Sequence, residues 1–281
     1  MHARRPADYM KKVREAVDKT PPEALKQAVR DPESSDFSHI IITIFPSPAD
    51  RDSFEVDFAS LAVFQLVWDK YLHSRIDDMA YYYDLFSASK ISATAAGWIF
   101  EFRMHQVLRS GGTIQLFPIL SSGKGDANLI YNNHTASRHR KDLKTLESLP
   151  SAEYPLTTAT HLEENCYYRP EAKNFPTIDS LLIVHPDGEP LPILLMFQIT
   201  RSGHHDAKIG GLRKVDNLHL PAPIKKYYVV VTPENAYPQI TVPIRYFVED
   251  RGVSVDVGRS ADEEFPVFQY LVRLENLFQN Q

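Results

Sequence analysis

The chain is short of cysteine, of long apolar runs and of surplus positive charge, and each shortage removes a class of function. Its one cysteine, Cys166, has no partner for an internal disulfide, so neither a disulfide scaffold nor a thiol-based enzyme is expected, and a reducing compartment suits it. No stretch reaches the roughly 18 apolar residues that a membrane span needs, and the basic start MHARRPADYMKKVREAV lacks the apolar segment of a secretory signal. Lysine and arginine number 31 against 36 aspartates and glutamates, a net charge of −5, so any grip on nucleic acid must rest on a local patch. No glycine-rich loop ends in Gly-Lys-Ser/Thr, and SSGKGDAN at 121–128 is not one, so no nucleoside triphosphate is expected as a partner. The reading is a soluble intracellular protein, in the cytoplasm or nucleus of its own or a host cell, with no membrane contact.

Apolar residues are plentiful: 43% of 281 residues are hydrophobic, enough for a substantial core. Residues 1–35 are charged and interrupted by Pro21, Pro22 and Pro32, and read as a loosely packed N-terminal arm. Residues 36–90 read as a helical extension: a strand at 39–45, then apolar residues at helical spacing from Asp52 (Phe54, Phe58, Leu61, Phe64), then DDMAYYYDLFSASK as a further helix. Residues 91–281 read as the main domain. Its first helix, TAAGWIFEFRMHQVLRSGG, stops at Gly111 and Gly112, which supply the left-handed cap. TIQLFPIL follows as a strand, then ANLIY, a basic helix-like piece SRHRKDLKTLESL, and ENCYYRP. TIDSLLIV, PILLMFQIT, a polar helix over about 206–217 and KKYYVVVT then give strand, strand, helix, strand. Short all-apolar strands around a helix indicate an α/β fold with a mixed sheet flanked by helices and buried on both faces.

Within PILLMFQIT, Gln198 is the anomaly, because a buried amide needs partners or costs stability. Gln198 and Thr200 are two residues apart on a strand and share a face, and Asp179 heads the preceding strand. Oxygen donors of this kind suit Mg²⁺ or Mn²⁺, which neutralises charge on a phosphoryl group and activates water. After the strand comes RSGHHDAKIGGLRKV, where His204 or His205 could act as a base near neutral pH. Arg201, Lys208, Arg213 and Lys214, with Lys225 and Lys226, could form the positive rim that a phosphate backbone requires.

The order of a helix with Glu101, a strand, a strand with Asp179, a strand with Gln198 and Thr200, a helix and a strand resembles the core of PD-(D/E)xK (restriction-endonuclease-like) nucleases. There, a helix glutamate, an aspartate on the second strand and Glu-x-Lys on the third meet at one sheet edge. The words GWIFEFRMHQVLRSGGTIQLFPI, YYRPEAKNFPTIDSLL and MFQITRSGHHDAKIGGLRKV are similar to the nuclease-like region of Crinkler-type effector proteins of fungi and oomycetes. The similarity covers residues 80–235, and Phe-Gln-x-Thr followed by histidine is its most specific part. It implies Glu101, Asp179 and Gln198 as metal ligands, Thr200 with His204 or His205 positioning water, and DNA, or else RNA, as substrate. Two departures stand out. Glutamine replaces the glutamate of the third strand, and Thr200 replaces its lysine, leaving Lys208 or Lys173 to return an amine.

Each residue has an ordinary alternative. Glu101 could be a solvent-facing helix residue, Asp179 a turn closure after Pro176, the histidines exposed loop residues, and the cations a solvated face. A zinc site from His185, His204 and His205 fits no standard spacing. Tyr81 to Tyr83 and Trp98 read as core, and Asp69, Asp77, Asp78 and Asp84 as solvated helix surface. The expectation is a divergent metal-dependent nuclease; the alternative is an inactive module of the same fold that binds nucleic acid or a host protein.

Overall fold

The computed structural model describes residues 6–31, 39–46, 54–72, 75–88, 93–124, 128–132, 140–154, 161–171, 175, 177–234, 236, 238–243, 266–273 and 277–278. The chain divides into two compact units, residues 1–102 with 278–281 and residues 103–277. It changes unit at 102/103, inside a helix, where the sequence reading sets limits at 35 and 90.

The first unit holds α1 (Pro6–Lys19), α2 (Pro22–Arg30), β1 (Ile42–Pro46), β2 (Phe54–Phe58), α3 (Leu61–Lys70), α4 (Ile76–Ser87) and the start of α5 (Ala93–Ser110). Residues 6–31, part of the stretch read as a loose arm, form two helices with buried apolar positions. Val13, Val17, Leu25, Ala28 and Val29 are buried, and Lys70 Nζ and Tyr71 Oη donate to the Val17 carbonyl at 2.9 and 2.8 Å. Pro22 opens α2 rather than breaking it, because the first helical N–H has no partner to lose. Residues 54–58 form a strand, not the start of a helix: FEVDF alternates, buries Val56 and Phe58, and pairs antiparallel with β1. The helix begins only after Ser60, whose Oγ accepts from Val63 N at 3.3 Å.

Tyr82 and Tyr83 are core as expected, while Tyr81 and Trp98 are half-buried, the Trp98 ring tilted against Phe64 at 5.7 Å between ring centroids. Asp78 departs from the expected solvated surface. It is buried and ion-paired with Lys26 and, at 2.9 Å, with Arg75, while Asp69, Asp77 and Asp84 are exposed.

The second unit contains, in chain order, β3 (Gly112–Ile119), β4 (Ser121–Lys124), β5 (Asn128–Asn132), β6 (Lys141–Thr145), β7 (Ser151–Tyr154), β8 (Tyr167–Pro170), β9 (Ser180–Val184), β10 (Ile193–Ile199), β11 (His204–Asp206), α6 (Ile209–Asp216), β12 (Lys225–Pro233), β13 (Gln239–Pro243) and β14 (Val267–Val272). An eight-stranded mixed sheet runs β6-β3-β14-β12-β10-β9-β8-β7, and a four-stranded one β11-β13-β5-β4. The α/β class with a mixed sheet is as expected. The basic stretch read as helix-like contributes β6 instead. KDLKT alternates, buries only Leu143, and lies at the sheet edge, where charged side chains are tolerated and discourage further pairing.

Strands β9, β10 and β12 are buried on both faces. Leu181, Ile183, Leu194, Met196, Tyr228 and Val230 join Leu212 and Val215 of α6 and Leu129, Tyr131, Ile240 and Val242 of the smaller sheet in one core cluster. On the other side, Phe197 meets the Tyr167 ring, and Tyr167 Oη links His105 Nδ1 and Ser180 Oγ at 2.7 Å each. Among the described residues no helix is long and apolar enough to cross a membrane.

At the end of α5, Ser148 N and Leu149 N donate to the Ser110 and Arg109 carbonyls at 2.8 Å each. Gly111 (φ +80°) and Gly112 (φ +108°) make the turn into β3. A Cβ on Gly111 would stand 1.8 Å from the Leu146 carbonyl oxygen, whereas one on Gly112 would meet nothing within 4 Å. Gly111→Ala should therefore cost about 3 kcal/mol or more and Gly112→Ala about 1–2 kcal/mol, as measured by urea unfolding. Equal losses would show that the backbone dihedral alone, and not the contact with Leu146, sets the requirement.

Candidate functional site

All seven residues of β10 are buried, and Gln198 is the polar one among them, with 7% of its surface exposed. In the β9–β10 ladder Phe197 pairs with Ser180, so the next rung sets Gln198 opposite Asp179. The contacts follow from that register. Gln198 Nε2 donates to Asp179 Oδ2 at 2.8 Å, Ile199 N donates to the same oxygen at 2.6 Å, and Asp179 N donates to the Phe197 carbonyl at 2.8 Å. An ionised carboxylate only accepts, so the amide nitrogen must face it and the Gln198 carbonyl oxygen must face away. That oxygen, Oε1, is buried and accepts no hydrogen bond among the described residues. A buried acceptor left this way costs about 1–3 kcal/mol, which makes it a place for a cation or a donor brought by a ligand.

Just before Asp179, Thr177 has φ +80°, a conformation that a β-branched side chain rarely adopts. It is buried. Its Oγ1 accepts from Lys208 N at 2.6 Å, and its carbonyl accepts from Tyr228 Oη at 3.1 Å. Burial and the nearby Asp179 charge hold the Tyr228 hydroxyl far above the ordinary tyrosine range, so it stays a neutral donor. Sequence reasoning passes over Thr177 because nothing in NFPTIDS announces a left-handed threonine.

Thr200 follows β10, with its N–H on the Val231 carbonyl at 2.9 Å and its Oγ1 accepting from Ser202 N at 3.0 Å. Its hydroxyl thus organises the loop. The two histidines separate by strand alternation along β11. His204 is exposed, against Gln239 Oε1 at 3.1 Å and Asp206 Oδ1 at 3.4 Å. His205 lies opposite the fully buried Ile240, is half-buried, and has an Nε2 without a hydrogen-bond partner among the described residues. Burial pushes its pKa below the ordinary value, so the ring is neutral near pH 7.

The expected positive rim is only partly assembled. Lys208 sits exposed at the start of α6, with Arg213 and Lys214 exposed in its last turn and Arg201 half-buried after β10. Lys214 Nζ stands 5.0 Å from the centre of the Phe175 ring. Lys225 and Lys226 do not belong to the rim. In the parallel β10–β12 pairing Lys225 faces Ile193 and Lys226 faces Leu194, while Gln198 faces Val230, so they lie five and four residues away, about 13–17 Å along the sheet. Both are also paired with carboxylates, Lys225 with Glu189 at 2.8 Å and Lys226 with Asp216 at 2.5 Å.

Glu101 is half-buried on α5 and falls in the first unit, while Asp179 and Gln198 fall in the second. Lys173 lies outside the described residues. No group of three or more His, Cys, Asp or Glu side chains that could hold a metal occurs among the described residues, and that covers the set His185, His204 and His205. Comparison of the chain with protein-family models, with curated proteins and with solved structures finds no match.

At the far end of the sheet, Glu189 takes Lys141 at 2.5 Å and Lys225 at 2.8 Å, and the two ammoniums hold its pKa at about 2, below the ordinary 4.5. A depressed folded pKa means stability that is present in full above pH 4.5 and lost as pH falls toward 2. Glu189→Gln should cost roughly 1 kcal/mol near pH 7, allowing for solvent screening, with the gap to wild type closing as pH approaches 2. Unfolding midpoints at pH 2.5, 4 and 7 measure this; a gap that does not change with pH would rule out the ion pairs as its source.

Proposed function

We propose that the protein is a divergent metal-dependent nuclease of Crinkler type that hydrolyses phosphodiester bonds of DNA, with RNA as the other candidate substrate. The observation that carries this reading is the Gln198 Oε1 acceptor, buried and unmatched beside the Asp179 carboxylate at the end of β10. Ligands of open α/β sheets collect at such carboxyl ends of strands. The donor set fits Mg²⁺ or Mn²⁺, which prefer oxygen and are commonly held by one or two carboxylates together with water and substrate phosphate. Asp179 and Gln198 would hold the ion, which when bound supplies charge neutralisation and a more acidic water. Phosphodiester hydrolysis joins a water oxygen to phosphorus and breaks the bond to a sugar oxygen, which leaves with a proton. The neutral ring of His205 suits it to take the proton from the water, and Lys208 and Arg213 suit the phosphate backbone.

The local topology supports the restriction-endonuclease arrangement for part of the chain. β8, β9 and β10 are successive antiparallel neighbours, and a crossover containing α6 leads from β10 to the parallel β12. In that arrangement β8 takes the place of first strand, not β3, which is separated from β10 by β14 and β12. The helix carrying Glu101 leads into β3, so Glu101 stays outside the proposed set.

A second reading, a binding module without catalysis that takes nucleic acid or a host protein, has its own support. The Thr200 hydroxyl already serves Ser202 N, and Lys225 and Lys226 are neutralised at the opposite end of the sheet. Cleavage of supercoiled plasmid, single-stranded DNA and RNA with Mg²⁺, Mn²⁺ or chelator separates the two. The expected result is cleavage that needs the metal, lowered at least about 100-fold in Asp179→Ala and in Gln198→Ala. Folded wild type that binds nucleic acid in chelator and shows no cleavage in Mg²⁺ or Mn²⁺ would establish the module instead.

A further inference from the structure

We propose that Thr177 is a positioning residue that fastens Lys208 beside Asp179, and that Lys208 supplies the cation lost from the strand at Thr200. The inference rests on the nuclease reading and adds to it the group that faces the substrate phosphate.

Thr177 is over-determined for a loop residue. Its φ of +80° is a strained state for a β-branched side chain, and it persists because three contacts hold it. Oγ1 accepts from Lys208 N at 2.6 Å, Oγ1 donates to the Lys208 carbonyl at 3.4 Å, and the Thr177 carbonyl takes the buried Tyr228 hydroxyl at 3.1 Å. The same Lys208 carbonyl accepts Gly211 N at 3.0 Å and opens α6. One side chain therefore joins the start of α6 to the segment that carries Asp179, two residues on and at most about 7 Å of chain away.

Lys208 is suited to the task. Its side chain is exposed, and its ammonium has no ion-pair partner among the described residues, in contrast to Lys225 and Lys226. Lys208 and His205 lie three residues apart, on either side of the buried Ala207, between the end of β11 and the start of α6. A lysine on a flexible stem reaches a phosphate as a point charge, and its placement depends on where its backbone is fixed. Removing the Thr177 hydroxyl releases that backbone without touching the cation.

The test is a double-mutant cycle on metal-dependent cleavage, with kcat and KM measured for wild type, Thr177→Gly, Thr177→Ser, Lys208→Ala, Lys208→Arg, the Thr177→Gly/Lys208→Ala double variant and Asp179→Ala. Glycine accepts φ +80°, so Thr177→Gly tests the hydroxyl in a folded chain. The expected result is a fall in kcat of about 10 to 100-fold in both Thr177→Gly and Lys208→Ala, with KM within about threefold. The double variant should be no worse than Lys208→Ala alone, and Thr177→Ser and Lys208→Arg should stay near wild type. Losses that multiply in the double variant would mean that Thr177 does not act through Lys208, and would overturn the inference. Lys208→Ala cleaving like wild type while Asp179→Ala is dead overturns it too and leaves the nuclease reading intact. A folded wild type that shows no cleavage in either Mg²⁺ or Mn²⁺ overturns both.

Discussion

A strand buried on both faces has nowhere to put a polar side chain except at its end, and β10 obeys that constraint through Asp179. The carboxylate takes two donors from the end of the strand, the Gln198 amide and the Ile199 N–H, and so closes the β9–β10 ladder with a charge rather than a turn. Hydrogen bonds to an ionised acceptor are about twice as strong as neutral ones. The arrangement fixes the orientation of the amide, leaves its oxygen facing away with no donor among the described residues, and leads the chain out of the sheet at Thr200 toward β11 and α6. Everything distinctive at this edge follows from one carboxylate meeting one amide across a register position.

The charges of the second unit sort by sheet end. At the amino end of β12 the lysines are matched: Lys141 and Lys225 share Glu189, and Lys226 has Asp216. At the carboxyl end of β10, Lys208 is exposed and the Gln198 oxygen has no hydrogen-bond donor among the described residues. In a chain of net charge −5, cations can serve an anionic ligand only where acidic neighbours have not claimed them. The sequence places Lys208, Arg213 and Lys214 in the same short stretch as His204 and His205, but strand register alone decides that Lys225 and Lys226 stand apart from them.

Sequence legibility followed the strength of the local signal. The continuous apolar runs of β9, β10 and β12 were readable as buried strands, and the Gly111-Gly112 stop was readable because only glycine takes that turn with a backbone oxygen so close. Asp179 and Gln198 were paired correctly as neighbours from their places at matching strand ends. β13 and β14 were not read at all, although β14 sits inside the large sheet parallel to β12, because its pairing is with distant segments and VFQYLV lacks clean alternation. FEVDF is ambiguous in sequence because Phe54 and Phe58 are four apart, a spacing that a helix and a period of two both satisfy. Residues 6–30 looked like an arm because charge and proline dominate them. Val13 and Val17 of α1 and Leu25, Ala28 and Val29 of α2 are nonetheless buried. Thr177 had no sequence signal, since its conformation is imposed by Lys208 and Tyr228 from elsewhere in the chain.

The glutamine in place of a glutamate has a physical consequence for the proposed chemistry. On the proposed reading, with Asp179 and Gln198 as protein donors, the site would offer one negative charge where the nuclease motif offers more, so a divalent ion would be held weakly by the protein alone. A substrate phosphate restores the missing charge. Ion and nucleic acid then favour each other's binding by the same factor, because coupling between two ligands is reciprocal. A neutral amide also lowers the repulsion that an empty acidic cluster would exert on a phosphate backbone, which leaves Lys208 free to attract it. If the proposed reading holds, glutamine and threonine in place of glutamate and lysine are one change: the strand would give up both charges of the motif, and substrate and helix would supply them from either side.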